Sequence, residues 1–134
     1  MKNTLLWILQ IVLGLTFISA SYAHSIAAPA LQLQPPMAWL AAVPQPLLLF
    51  IALCELLGGL GLILPGLTKI QPRLTPIAAA LLAVVMVLAC GFHLTRGEYP
   101  NIGINLVLAT LAALIAYGRR DWLTQPATRR LAHA

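Results

Sequence analysis

Leu47–Leu64 reads LLLFIALCELLGGLGLIL, an unbroken apolar run with a single charge, Glu55. At about 1.5 Å of rise per residue, a helix of this length covers roughly 27 Å, close to the thickness of a bilayer's hydrocarbon core. Upstream, Thr4–Ala23 is apolar and uncharged. Downstream, Leu74–Thr95 and Ile102–Tyr117 repeat the pattern. Thr75-Pro76 reads as an N-cap followed by proline at the first helical position. The fourth run is short and spans if the bilayer thins or the helix extends into its flanks. The expected fold is all-α: a four-transmembrane-helix antiparallel bundle, with helices at approximately 4–23, 47–64, 74–95 and 102–118. These form a single membrane domain, 1–134, that ends in a basic tail, 119–134.

Composition leaves little alternative to lipid. Hydrophobic residues make up 60% of the chain and charged residues 8%, whereas soluble domains carry roughly 25% charged residues. Three acids and eight bases cannot clothe a soluble surface. The net charge of +5 is no nucleic-acid footprint, because the bases sit at the ends of the apolar runs, where membrane topology accounts for them. Cys54 and Cys90 lie inside apolar runs without a CxxC pair or zinc spacing, so neither a disulfide framework nor a metal site is expected. They read as small, inert packing residues.

Lys2, Lys69, Arg73, Arg119, Arg120, Arg129 and Arg130 fall on one side of the bundle and Arg96 alone on the other. The positive-inside rule then puts both termini in the cytoplasm. The expected location is a bacterial inner (cytoplasmic) membrane, crossed several times. The arginine pairs read as anchors to lipid headgroups. Residues 1–23 also read as a secretory signal ending in Ser21-Tyr22-Ala23, a second reading that the charge count permits. The stretch His24–Pro46 holds five prolines and no Lys, Arg, Asp or Glu. It forms the long outward loop, within which Met37–Val43 suggests a short helix at the interface, anchored by Trp39.

A charge at the bilayer centre costs roughly 2.5–3.5 kcal/mol on insertion scales. Glu55, flanked at helical spacing by Ile51, Ala52, Gly58 and Gly59, should therefore turn toward the bundle, where small residues admit a neighbouring helix. Gln10, Gly14, Phe17, Ser21 and His24 share one face of the first helix. Met86, Ala89, Cys90 and His93 share a face of the third, and Asn101, Asn105, Ala109 and Ala112 a face of the fourth. Counting from the outer helix ends puts Glu55 roughly 14 Å deep and the other polar groups near the surface. The candidate polar site is Glu55, His93, His24, Ser21 and Asn105, in the outward half of the bundle. A purely structural role is open to each ionisable member: Glu55 as a protonated carboxyl hydrogen-bonded between helices, His24 and His93 as residues near the interface, where a histidine costs little.

The block Glu55–Pro65, followed by Pro72-Arg-Leu-Thr-Pro76, resembles the central motif of the DoxX-like membrane protein family. Ala89–Glu98 and Ala116–Arg119 are similar to that family too, so the likeness runs from about residue 5 to residue 120. It implies a four-helix membrane bundle and an uncleaved first helix. Where the family typically has glycine and then lysine after the phenylalanine of the first helix, this chain has Ser21 and His24 after Phe17. His24 replaces that fixed charge opposite Glu55 only when protonated. The family takes its name from a subunit of a sulfur-compound:quinone oxidoreductase, and some relatives associate with redox enzymes. A likeness in helix arrangement to vitamin K epoxide reductase comes without the CxxC of that enzyme's thiol chemistry.

Three functions follow as expectations. The first is a non-catalytic membrane subunit or scaffold that docks a redox protein partner. The second is a quinone-linked oxidoreductase subunit in which Glu55 and His93 handle protons; the two differ by roughly 10 Å along the bundle, so direct contact needs tilt or a water. The third is a small-solute transporter, against which stands a cytoplasmic half whose one evident polar group is Gln10. The small-residue faces can pack within one chain or between copies, so a homo-oligomer is a further expectation.

Overall fold

A computed structural model describes residues 2–124; the rest of the expected basic tail, including Arg129 and Arg130, lies outside the described residues. The order of elements is α1 (Lys2–His24), α2 (Ala28–Leu31), a 3-10 helix (Pro35–Ala42), α3 (Gln45–Thr68), α4 (Leu74–Thr95), α5 (Tyr99–Gly118) and a terminal 3-10 turn (Arg120–Leu123). Four of them, α1, α3, α4 and α5, are long and apolar enough to cross a membrane. They form an antiparallel bundle in which α1 pairs with α3, α3 with α4 and α4 with α5, while α1 and α5 meet more loosely. The end of the bundle carrying residues 25–44 is called here the capped end, and the opposite one the terminal end.

Three spans are longer than their apolar runs, α1 by a residue or two at each end and α3 and α5 by more. The sequence ends the second helix at Leu64 and gives Pro65–Leu74 to a hairpin, but α3 continues to Thr68 with Pro65 buried inside it. Proline forfeits one helical hydrogen bond, which membrane helices tolerate when neighbouring groups satisfy the freed backbone. Lys69 then stops the helix in the left-handed region (φ 58°) and Gln71 follows (φ 51°), which closes a tight turn into α4. α5 starts at Tyr99 rather than Ile102, with Pro100 in its first turn, where a missing N–H costs nothing. Its 20 residues reach across without a thinned bilayer.

Thr75 is not the N-cap that its position before Pro76 suggests. The helix begins at Leu74, two residues before Pro76, Arg73 takes the cap position, and Thr75 is fully buried with its hydroxyl unpartnered among the described residues. Pro76 is accommodated in the first turn, where its missing N–H would have had no partner in any case.

In the terminal half the helices are in close contact through Leu13, Phe17, Leu62, Leu82, Ala112 and Ile115. A Cβ on Gly59 would lie 2.7 Å from the carbonyl oxygen of Gly14, so glycine is required where α1 crosses α3. A second, smaller apolar cluster, Ala28, Leu40 and Leu48, fastens the cap to α3. Leu5, Val12, Phe50, Leu88 and Val107 are among the apolar side chains exposed around the perimeter, as expected of a surface solvated by acyl chains.

The cap explains a stagger that helix lengths hide. α1 ends at His24, yet His24 meets Glu55, ten residues into α3. The first ten residues of α3 therefore rise about 15 Å past the end of α1, and residues 25–44 fill the step.

A candidate ligand cavity closed by two histidine–carboxylate pairs

Below the cap the four long helices separate around a cavity of about 590 Å³, within the roughly 300–1,000 Å³ typical of small-molecule sites. Its walls are mostly apolar: Phe17, Ile51, Met86, Phe92 and Leu108 are among them. Polar groups enter at the end nearest the cap. The cavity ends blindly in the terminal half, where the core closes over it.

The first polar pair comes from α1 and α3. His24 Nδ1 lies 2.7 Å from Glu55 Oε2, a contact that needs a proton between the two atoms. Glu55 is 2% exposed, so this contact is what makes the carboxyl tolerable inside the bundle. Removing one partner of such a pair leaves a buried charge unanswered. The turn joining α4 to α5 builds the second pair. Gly97 adopts φ 70°, which folds the chain back so that Glu98 Oε2 reaches His93 Nδ1 at 2.6 Å. Arg96 Nε donates to the other oxygen of Glu98 at 2.9 Å, and Asn101 Nδ2 stands 3.5 Å from His93 Nδ1. Desolvation raises the Glu98 pKa, but the hydrogen bonds from His93 and Arg96 outweigh it and hold the carboxyl below its ordinary value.

With each Nδ1 committed to a carboxylate, Nε2 is the nitrogen left on each ring. Both histidines line the cavity. Trp39 stands between them. Its ring is edge-on to His24 (5.2 Å, 74°) and to His93 (5.1 Å, 85°), so the two imidazoles lie no farther apart than the sum of those distances. An imidazole whose Nδ1–H is held by a carboxylate presents Nε2 as a proton acceptor, the arrangement general acid–base work uses.

Four of the five sequence candidates, His24, Glu55, His93 and Asn105, line this cavity. Ser21 does not: it is buried on α1, and its carbonyl oxygen accepts a bond from Ser25 Oγ at 2.6 Å. The direct Glu55–His93 relation gives way to two separate pairs, because Glu55 engages His24 and His93 engages Glu98. Sequence reasoning missed Trp39 as a site residue. The 3-10 helix turns it inward against the histidines instead of leaving it as an interfacial anchor. Glu98 was also missed; its signal was an acid five residues after His93 across a glycine.

Cys54 lines the cavity, whereas Cys90 Sγ points at the Ile102 carbonyl oxygen, 3.7 Å away. Among the described residues no three His, Cys, Asp or Glu side chains gather as a metal site.

At the terminal end Arg119 corrects a second expectation. It is 5% exposed and is no headgroup anchor. Its Nε donates to Gln10 Oε1 and its Nη1 to Asn3 Oδ1, each at 2.6 Å, and Gln10 Nε2 donates to the Leu62 carbonyl oxygen at 2.8 Å. The guanidinium lies over Trp122 (4.3 Å) and Trp7 (5.3 Å). Burial lowers its pKa. Arg119 thus ties α1, α3 and the end of α5 together.

A family model described as DoxX-like matches residues 8–115. The chain belongs to the DoxX-like family. The match takes in His24, Glu55, His93, Asn101 and Asn105, so these polar groups of the cavity sit in the part this DoxX-like protein shares with its family. Arg119 and Trp122 lie beyond it. No curated protein matches the chain, and no solved structure does.

Proposed function

We propose that this DoxX-like protein is a membrane subunit that binds a bilayer-dissolved molecule of the quinone class in the cavity and exchanges protons with it, while a redox protein partner supplies or removes the electrons. The single observation carrying this reading is the pair of carboxylate-held histidines facing one mostly apolar cavity across Trp39. A quinone ring presents two carbonyl oxygens on an apolar frame. Oxidation of the quinol releases two electrons and two protons; the partner takes the electrons and the two histidines accept the protons at Nε2, while reduction runs the same steps in reverse from rings already protonated at Nε2.

The pairs differ in their access to water. His24–Glu55 is enclosed, whereas Glu98 is partly exposed and held by Arg96, so protons return to the site by way of Glu98 and His93. Placing the termini in the cytoplasm sets the capped end, and this return, on the outer side. The packed core and the Arg119–Gln10 contact below the cavity favour a blind pocket over a route for solutes. The scaffold role survives within this reading as the docking of the electron-carrying partner.

Organic extraction of protein purified from its native membrane, followed by mass spectrometry, tests the reading. The expected result is a quinone-class molecule close to one per chain, lost from a folded Glu55→Leu variant. Extracts holding only phospholipid would contradict it.

A further inference from the structure

We infer that the cavity opens sideways into the lipid between α3 and α4, and that the ligand enters there and leaves its apolar tail in the opening; the ligand's identity rests on the proposal above, but the opening does not. In the terminal half α3 and α4 touch closely. A Cβ on Gly58 would lie 2.5 Å from Leu82 Cδ2, and one on Gly61 2.8 Å from Ala78 Cβ. Toward the capped end the two helices part. Leu47, Phe50 and Cys54 on α3 face Val85, Leu88 and Phe92 on α4, and all six line the cavity.

Three of these also belong to the perimeter: Leu47 is 50% exposed, Phe50 61% and Leu88 69%. A side chain that both lines an internal cavity and faces outward stands at the edge of an opening. Phe50 is five residues from the start of α3, and Leu88 seven from the end of α4. At about 1.5 Å per residue, this puts the opening roughly 8–10 Å in from the helix ends, at the depth of acyl chains.

The chemistry of the rim selects what passes. The six rim residues carry no charge and no hydrogen-bonding side chain stronger than a thiol. A hydrated solute would shed its water there without compensation, whereas a lipid-soluble molecule loses nothing. The polar groups wait at the inner end, under Trp39. A ligand with a hydrogen-bonding ring and an apolar tail fits in one orientation, ring toward His24 and His93, tail toward Phe50 and Leu88. On the opposite side, Thr16 and Ile104 are the exposed lining residues where α1 and α5 part. That rim holds a hydroxyl and fewer apolar side chains.

The native thiol Cys54 reads the opening directly. In a Cys90→Ser background in liposomes, alkylation of Cys54 is followed with an uncharged lipophilic maleimide and with a sulfonated, membrane-impermeant one, each normalised to its rate on the denatured chain. The lipophilic reagent is expected to react at least tenfold faster. Val85→Trp is expected to slow it at least tenfold and Thr16→Trp to leave it unchanged. Leu88→Trp, at a side chain on which packing hardly depends, serves as the second blocking variant should Val85→Trp not fold. Equal labelling by the sulfonated reagent would place the opening in water, and labelling by neither would close the cavity. A slowing by Thr16→Trp alone would move the opening to α1 and α5. Each of these overturns the inference, and none involves a ligand, so the result stands apart from the fate of the quinone reading.

Discussion

Glu55 shows how a single residue can declare a site from sequence while concealing its partner. A carboxyl in mid-span has to turn inward, and it does. What the sequence could not supply was the level at which α1 ends: depths counted from helix ends assume those ends are flush, and the stagger brings His24 down to Glu55. Glu55→Leu leaves the half-buried His24 without its proton partner, and breaking a buried pair costs about 3–5 kcal/mol. Because a histidine can shed its charge, the loss is expected at the lower end of that range. Glu55→Gln keeps an oxygen that accepts from Nδ1 and is expected to unfold within about 1 kcal/mol of the parent. Unfolding in detergent, followed by circular dichroism, checks both.

Glu98 makes a pH-dependent contribution. Its folded-state pKa is depressed, so the stabilisation is present above the carboxyl's unfolded value and is lost as pH falls through the folded one. Stability of the parent is therefore expected to drop on acidification below the ordinary carboxyl range, and Glu98→Gln to lack that component. Parallel pH profiles for the two proteins would count against the His93–Glu98–Arg96 arrangement.

Among the elements, the spans were legible because apolar runs of that length have one stable solvent, and their ends were less so. Pro65 looks like a boundary in water, but in lipid a helix that stops early leaves carbonyls unsatisfied, so it was absorbed; Pro100 sits in the first turn of α5, where its missing N–H has no helical partner to lose. The cap was misjudged for a related reason. An uncharged, proline-rich stretch with one tryptophan has the composition of an interfacial segment. What turns Trp39 inward is packing of Leu40 against Leu48 and Ala28, a tertiary contact with no periodic signature. Trp39→Ala is expected to leave the four spans folded and to weaken ligand binding at least tenfold, since it removes the wall shared by both histidines. Circular dichroism and binding measured on the same preparation separate the two effects; unchanged affinity would make the tryptophan a packing residue only.

For the whole molecule, the two ends of the bundle have different duties. The terminal end is locked by Arg119, whose role was hidden because an arginine one residue past a span ordinarily faces headgroups. Trp122 is its near neighbour, but Asn3, Trp7 and Gln10 lie more than a hundred residues away, at the other end of the chain. Arg119→Leu strips a hydrogen bond from the buried Gln10 amide and one from the exposed Asn3, and is expected to cost about 1–3 kcal/mol, chiefly from the orphaned Gln10 oxygen. Ligand affinity in the surviving folded fraction should be unaffected. The capped end, by contrast, is loosely filled and carries the polar pairs, as a binding site requires.

The proposed chemistry stands on occupancy of that end by a membrane-dissolved ring compound, and titration is the direct test. Purified protein in lipid nanodiscs, titrated with a short-chain quinone and followed by Trp fluorescence, is expected to show saturable quenching at one ligand per chain. The quenching should be absent in Trp39→Phe, and affinity should fall at least tenfold in Glu55→Gln. Quenching that rises linearly with quinone and is the same in all three proteins would mean simple partitioning into lipid, and would contradict the assignment of this cavity as a quinone site.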